Sequence, residues 1–309
     1  MKLIFMGTAD FSAIVLKALS KEFKIDAVVT GLDKPASRGM KVIPSPVKEA
    51  AAELDIPVYQ FEKVSKDGIE TIKSLSPDVA VTAAFGQILS DEFLAIPKYG
   101  VLNVHASLLP KYRGASPIQH AILNGDKETG ITIMRTVKEI DAGDILFVKK
   151  TEIGSGETAG ELFDRLAELG GEAIIEALKL LESGKAVFVP QDHSKATRCG
   201  IIKKADAKID FSKSKIQLYN FVRAMNPWPC AFTYSNGALL KVHEAEALNE
   251  SVVTPACGAV VKASPKEGLI VSCGDGLIRL KTVQGEGGKK MADTEYLKGH
   301  EIKVGTVLG

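Results

Sequence analysis

Residues 2–30, KLIFMGTADFSAIVLKALSKEFKIDAVVT, read as strand, helix, strand, and that order decides the fold. Lys2–Met6 is an apolar run closed by Gly7 and Thr8. Phe11, Ile14, Val15, Ala18 and Leu19 then recur at the spacing of one helix face. Ile25–Thr30 is a second apolar run. Strands that are apolar almost throughout, joined by a helix, belong to a parallel sheet covered on both faces. The chain therefore opens as an α/β domain with a Rossmann-like, mostly parallel sheet and flanking helices. Its first turn, MGTADFS, carries one glycine and lacks GxGxxG. The close backbone approach that a dinucleotide pyrophosphate needs is missing, so no NAD(P) site is indicated.

Working outward, the alternation continues. Ser45-Pro46 has the form of an N-cap with proline at the first helical position, starting a helix over Pro46–Leu54. Pro57–Phe61 reads as a strand, Asp67–Leu75 as one helix, and Asp78–Ala84 as a strand running into Phe85-Gly86. Gly130–Lys138 and Asp144–Lys149 form an expected hairpin across the IDAG turn. Thr158–Ser183 is the clearest helix, with Leu162, Leu166, Leu169, Ala173, Ala177, Leu180 and Leu181 on one stripe and Gly184 after it. From Val187 to Ala207 the chain turns polar and basic. Beyond it, Ile216–Met225 reads as a helix broken by NPWPCAF. Short β-prone runs follow at Phe232–Tyr234, Ala238–Val242, Ala259–Lys262, Gly268–Ser272 and Leu277–Thr282, spaced as in a small barrel. The expected division is an α/β domain over 1–187, a linker over 188–207 and a smaller β-barrel domain over 208–309.

Composition narrows the class. A chain of 309 residues with 45% hydrophobic and 25% charged residues has the makeup of a folded, two-domain protein. The net charge of +1 announces neither nucleic acid nor a membrane surface. It is unevenly spread: residues 1–202 hold 24 Lys and Arg against 27 Asp and Glu, whereas residues 203–309 hold 15 against 11. Cys199, Cys230, Cys257 and Cys273 form no CxxC pair and no zinc-type spacing with histidine. The start, MKLIFMG, is too short an apolar run for a signal peptide, and no segment approaches a membrane span. A reducing, cytoplasmic location with free thiols is expected, with no membrane partner and no need for a second subunit, so a monomer.

The chemistry concentrates in GVLNVHASLLPKYRGASP, residues 100–117. Asn103 and His105 stand two apart on a β-prone run, so their side chains share a face. The Pro- and Gly-rich stretch after them reads as a structured loop. Asp141 follows in IDAGDIL. Together these residues offer an amide donor, a group titrating near neutrality and a carboxylate to tune it. A histidine behind an apolar strand is more often a packing residue; Asn103 and Asp141 shift the balance for His105. His120, His193, His243 and His300 lack such company and read as surface or packing residues. With no GxSxG elbow, Walker loop or metal triplet, no hydrolytic centre is visible and no metal is expected. Asn, His and Asp suit a reaction whose substrates bring both nucleophile and electrophile, such as acyl-type transfer to an amine. Gly31–Pro46 carries Lys34, Arg38 and Lys41 against Asp33 alone, and is either a solvated connection or a basic arm for a polyanion.

These segments resemble the methionyl-tRNA formyltransferases over essentially the whole chain. The matching pieces are FMGTADF at 5–11, LDKPASRGMKVIPSPVK at 32–48, AAFGQIL at 83–89, GVLNVHASLLPKYRGASPIQHAI at 100–122, IDAGDIL at 140–146 and NPWPCAF at 226–232. The resemblance implies formyl transfer from 10-formyltetrahydrofolate to the amino group of methionine on initiator tRNA, for translation initiation. It implies that Asn103 and His105 hydrogen-bond the formyl oxygen and stabilise the tetrahedral intermediate. Asp141 would organise His105 and a water and assist proton transfer. Ser107, Leu108, Leu109 and Pro110, with Phe85 and Gly86, correspond to the folate site. Lys34, Arg38 and Lys41 correspond to a loop that enters the acceptor end of tRNA, expected to be unordered without it. The C-terminal domain corresponds to an OB-like barrel that holds tRNA. Ala9 stands where this family commonly has Pro, and Cys230 where Gly is usual, which puts the local turn at Cys230 in question. Transfer to a sugar-nucleotide amine or to glycinamide ribonucleotide, and a non-catalytic RNA-binding role, are the readings that compete.

Overall fold

The structure, a computed structural model, describes residues 1–35, 42–250 and 256–309. The chain divides into two compact units. The first comprises 1–117, 128–152 and 163–199, and the second 118–127, 153–162 and 200–309. Residues 188–199, in the stretch expected as a linker, thus pack into the first unit.

In the first unit the strands are β1 (Leu3–Gly7), β2 (Ala27–Thr30), the short pair β3 (Lys34–Pro35) and β4 (Val42–Ile43), then β5 (Val58–Gln60) and β6 (Val79–Ala83). They continue with β7 (Val101–His105), β8 (Arg113–Gly114), β9 (Glu128–Arg135), β10 (Ile145–Glu152) and β11 (Arg198–Cys199). One seven-stranded sheet runs in the order β10-β9-β7-β6-β1-β2-β5. It is parallel from β7 through β5 and antiparallel at β9 and β10. The path leaves β1 toward β5 on one side and returns to β6 and β7 on the other. The carboxyl ends of β1 and β6 therefore flank a topological switch point, where open α/β sheets bind ligands. β1, β2 and β6 are buried along their whole length, as apolar strands between two helical layers must be.

Local chemistry explains the boundaries. The Ser45 hydroxyl accepts from the Lys48 N–H at the start of the helix Pro46–Glu53, as its sequence predicts. The helix expected over Asp67–Leu75 is instead two short helices, Val64–Asp67 and Ile69–Leu75, separated by Gly68. The connection from β9 to β10 is not a tight turn. Thr136 leaves the strand to donate its N–H to the Val101 carbonyl, and residues 136–144 form a longer loop that carries Asp141. Gly170 and Gly171 interrupt the stripe of the helix Ala159–Glu182 for a packing reason. A Cβ on Gly171 would collide with the Ala18 Cβ, and one on Gly170 would lie 3.0 Å from a Val104 methyl.

The second unit holds β12 (Ala231–Ser235), β13 (Ala238–Leu248), β14 (Val260–Ser264), β15 (Gly268–Cys273), β16 (Gly276–Gly285) and β17 (Met291–Ala292). They form an antiparallel sheet in the order β12-β13-β16-β15-β14, with β17 on β16. The terminal residues curl it into a small barrel. The Leu308 N–H donates to Gly258 beside β14, and the Gly309 N–H to Tyr234 in β12. Phe211, Leu218, Val222, Leu240, Val242, Val271 and Ile278 fill the interior. The helix Lys215–Ala224 begins with a capping box between Ser214 and Gln217. Cys230 adopts φ 72, so the left-handed backbone that a glycine would supply is taken here by a buried cysteine.

Asp293, 1% exposed, is held by charge between β15 and β16. Arg279 grips it with Nε to Oδ2 at 2.8 Å and Nη2 to Oδ1 at 3.0 Å, and the Leu269 and Thr294 N–H groups donate to the same carboxylate. Burial pushes this carboxyl up; the Arg279 and backbone hydrogen bonds outweigh it and hold it below the 3.8 of an ordinary aspartate. Its stabilising contribution is therefore complete above about pH 4 and is lost as pH falls through the lower folded value. Arg279→Met strands the carboxylate, and urea unfolding at pH 7 should show a loss of about 3 kcal/mol. The difference from wild type should shrink as the pH is lowered through the carboxylate range, where the stranded group protonates.

Candidate active site

The site grows from the register of β7. Its parallel partner places Thr82 beside Asn103, and its antiparallel partner places Thr132 beside His105. Asn103 is half-buried and His105 is 6% exposed, on the same face of the strand. The Thr82 hydroxyl donates to Asn103 Oδ1 at 2.9 Å. With its oxygen so engaged, the Asn103 amide has its NH₂ group left as a donor. Thr132 folds the loop after β7. Its hydroxyl donates to the Ser107 carbonyl at 2.6 Å and accepts from the Leu109 N–H at 3.1 Å.

His105 is fixed at both nitrogens. Nε2 lies 2.9 Å from the Tyr112 carbonyl, which can only accept, so Nε2 carries a hydrogen. Nδ1 is left as the nitrogen that gains or loses a proton. It faces Asp141 Oδ2 at 3.6 Å, an ion pair when the ring is protonated and too long for a hydrogen bond. Asp141 adopts φ 51, and its Oδ2 accepts from the Gly114 N–H at 2.8 Å. Gly114 sits at φ 121 with the Cys199 carbonyl where a Cβ would project, so only glycine fits.

A strap over residues 189–199 binds these loops. Val189 exchanges two 2.8 Å backbone hydrogen bonds with Ile145. The Thr197 hydroxyl accepts from the Tyr112 N–H at 2.8 Å, and β11 pairs with β8 in parallel. Gln191 reaches from the strap to the Asp141 loop. Cys199 Sγ lies 3.3 Å from the Tyr112 carbonyl that also receives His105. Burial pushes the Cys199 thiol up, a Ser116 backbone hydrogen bond opposes it, and the Asp141 carboxylate pushes it further up.

The residues assigned to the folate site divide by exposure. Leu108 and Pro110 are half-buried and Gly86 is exposed at φ 75, while Ser107, Leu109 and Phe85 are buried. The Ser107 hydroxyl donates to the Lys111 carbonyl at 2.7 Å and so supports the loop from within. The Thr8 hydroxyl donates to the Phe85 carbonyl and the Ser12 hydroxyl to the Ala83 carbonyl, tying β1 to β6 across the switch point. Of the basic loop, Arg38 and Lys41 lie outside the described residues, as does the question of its order; Lys34 opens β3. The stem before and after it is a polar network. Lys48 Nζ donates to Asp33 at 2.6 Å and to Gln60 at 2.8 Å, and Gln60 donates to Asp33 at 2.7 Å. The Lys48 and Gln60 hydrogen bonds hold the Asp33 carboxyl below its ordinary value.

Thr82, Thr132, Gln191 and the Tyr112 carbonyl escape a reading of the sequence. A threonine inside the apolar run of β6 was the one available signal; Gln191 lay unmarked in a polar stretch. Among the described residues, no group of three or more His, Cys, Asp or Glu could hold a metal ion, and no helix is long and apolar enough to cross a membrane.

The first unit is thus a mostly parallel sheet with Asn103, His105 and Asp141 brought together at the carboxyl end of β7, and the second is a small barrel. The sequence profile of Formyl transferase matches residues 1–178, and that of Formyl transferase, C-terminal domain, matches residues 201–301, so the chain belongs to the formyl transferase family. Within it, the chain is 45% identical over 311 residues to the methionyl-tRNA formyltransferase of Acetivibrio thermocellus, covering all of both chains. It is 46% identical to that of Streptococcus uberis, covering 100% of this chain and 99% of that one. Among solved structures, an N-formyltransferase from Helicobacter canadensis in complex with folinic acid and dTDP-3-aminofucose superposes with a TM-score of 0.68. It is 21% identical and covers 93% of this chain and 100% of its own. HypX from Aquifex aeolicus in complex with tetrahydrofolic acid superposes at 0.62, with 16% identity, over 99% of this chain and 50% of its own. At these identities the two structures speak for the fold.

Burial separates the thiols. Cys199, Cys230 and Cys273 are buried and Cys257 is exposed. A disulfide reagent of the Ellman type should titrate one thiol rapidly in the native protein and the other three only on unfolding. Cys257→Ser should abolish the rapid phase.

Proposed function

We infer that this chain transfers the formyl group of 10-formyltetrahydrofolate to the amino group of methionine on initiator tRNA, as translation initiation requires. The observation that carries this reading is 45% identity, end to end, with a methionyl-tRNA formyltransferase. A cytoplasmic location and a monomeric state belong to the same proposal; three buried free thiols suit a reducing compartment.

The residues fit a flat heteroaromatic donor. Leu108 and Pro110 keep apolar surface half-exposed, and Gly86 stands open beside the switch point. When bound, the donor supplies an electrophilic formyl carbon. Asn103 donates its amide N–H to the formyl oxygen, with Thr82 holding the other end of the amide. His105 presents a proton from Nδ1 to the same oxygen, because Nε2 is committed to Tyr112. Both donors meet the negative charge that develops there as the amine attacks, in a setting where an unpaired oxyanion would be costly. Asp141 stabilises the protonated imidazole and accepts the proton that the attacking amine must shed, since a protonated amine has no lone pair to attack with. As the intermediate collapses, the bond from the formyl carbon to the folate nitrogen breaks, and that proton passes to the departing nitrogen. Lys34, Arg38 and Lys41, together with the basic C-terminal unit, bind the tRNA backbone.

The deciding experiment is formyl transfer from 10-formyltetrahydrofolate to purified methionyl-initiator tRNA, with uncharged tRNA and sugar-nucleotide amines as controls. Turnover confined to the charged tRNA is expected; turnover on a small amine alone would overturn the tRNA assignment. His105→Ala should lower kcat about 100-fold or more with little loss of tRNA binding in a filter assay. Arg38→Ala should weaken activity on tRNA while leaving folate affinity unchanged, and the deficit should be largest at low salt and shrink as salt is added.

A further inference from the structure

We propose that Gln191 is a positioning residue for Asp141, holding the main chain of that residue so that its carboxylate stays against His105. The assignment rests on the formyl-transfer reading of the site. Gln191 is 5% exposed, and its hydrogen bonds to oxygen and nitrogen partners go to two segments, with Met134 Sδ a distant third contact of Nε2 at 3.9 Å. Nε2 donates to the Asp141 carbonyl at 2.9 Å and to the Gly143 carbonyl at 2.7 Å. Oε1 accepts from Arg113 Nε at 3.1 Å and Nη2 at 2.7 Å. Carbonyls only accept and a guanidinium only donates, so the sense of this amide is fixed by its neighbours. Arg113 is itself 4% exposed, with Nη2 also 3.1 Å from His193 Nδ1 and Nη1 3.6 Å from Glu139.

The contacts close a ring. From Gln191 it passes to the Asp141 carbonyl, through Asp141 to its carboxylate, on to the Gly114 N–H, and back along the chain to Arg113 and Gln191. Asp141 is thus held at its main chain by Gln191 and at its side chain by Gly114, in a left-handed conformation that a free aspartate seldom adopts. A side chain that merely filled space would not aim two donors at the loop of one catalytic group and its acceptor at the residue beside the other anchor. Gln191 touches no reacting atom. It acts through Asp141.

Two variants separate positioning from packing. Gln191→Glu keeps, and by charge strengthens, the Arg113 contact, while replacing both donors by oxygens that repel the two carbonyls. Gln191→Met removes both ends. Steady-state kinetics on methionyl-tRNA and 10-formyltetrahydrofolate would be read beside thermal unfolding. Positioning predicts that kcat falls at least about tenfold in both variants with both KM values within about twofold of wild type. It also predicts that, at a temperature where both variants stay folded, the Glu variant loses kcat as fully as the Met variant. Activity that follows stability, with Gln191→Glu near wild type and Gln191→Met impaired, overturns the proposal. If one variant does not fold, the other decides: a raised KM with unchanged kcat overturns it, and a lowered kcat with unchanged KM upholds it. A wild-type chain that transfers no formyl group defeats the underlying reading, and this assignment with it; an active wild type matched by Gln191→Glu defeats the assignment alone.

Discussion

β7 is paired in parallel on one edge and antiparallel on the other, and the candidate site depends on that double register. A slip of one residue would turn Asn103 and His105 to the face that Val104 now occupies against Gly170. The register also decides which hydroxyls serve. Thr82 reaches Asn103 from β6, and Thr132 reaches the loop after His105 from β9. β7 is placed by neighbours whose own positions are set by burial: β6 is covered along its length, and Ile131 and Ile133 are fully buried in β9. Hydrophobic burial fixes the frame, and hydrogen bonds within it fix the aim of individual atoms.

The carboxylate is held differently. Asp141 lies on a loop, where the sheet imposes no direction, and its placement comes from the strap and from Gly114. Each such hydrogen bond contributes about 1 kcal/mol net, but a buried carbonyl left without its donor costs up to about 3 kcal/mol. Losing one amide at Gln191 leaves two carbonyls and a guanidinium short of partners together, so the arrangement is all-or-none over a small volume. The two halves of the site thus have different physics. Asn103 and His105 share the stability of the sheet core, whereas Asp141 depends on polar contacts made by a distant segment.

Much of the frame was legible in the sequence because it is written in local patterns. The apolar runs gave β1, β2, β6 and β7 to within a residue or two, and Ser45-Pro46 announced its cap. The pairing of Asn103 with His105 followed from the two-residue period of a strand. What stayed hidden depends on long-range contact. Gln191 sits in a polar stretch that reads as a solvated linker, and its meaning comes from Asp141 and Arg113, fifty and seventy-eight residues away. The 136–144 loop reads as a tight hairpin, since nothing local says that Thr136 prefers the Val101 carbonyl. Gly68 splits a helix that apolar spacing alone would continue, and Gly170-Gly171 looks like a weakness in another until Ala18 and Val104 are seen against it.

The strap also imposes an order of assembly. A ribosome delivers this chain from its amino end, so β7 and its parallel neighbours emerge before the residues that hold Asp141. Until Gln191 and the 197–199 segment have been made, the loop from 136 to 144 lacks the donors that hold its main chain. A nascent first unit can bury its sheet while the contacts that place Asp141 beside His105 are still incomplete. The candidate site is therefore completed late in synthesis, by the residues that follow the long helix rather than by those that build the sheet.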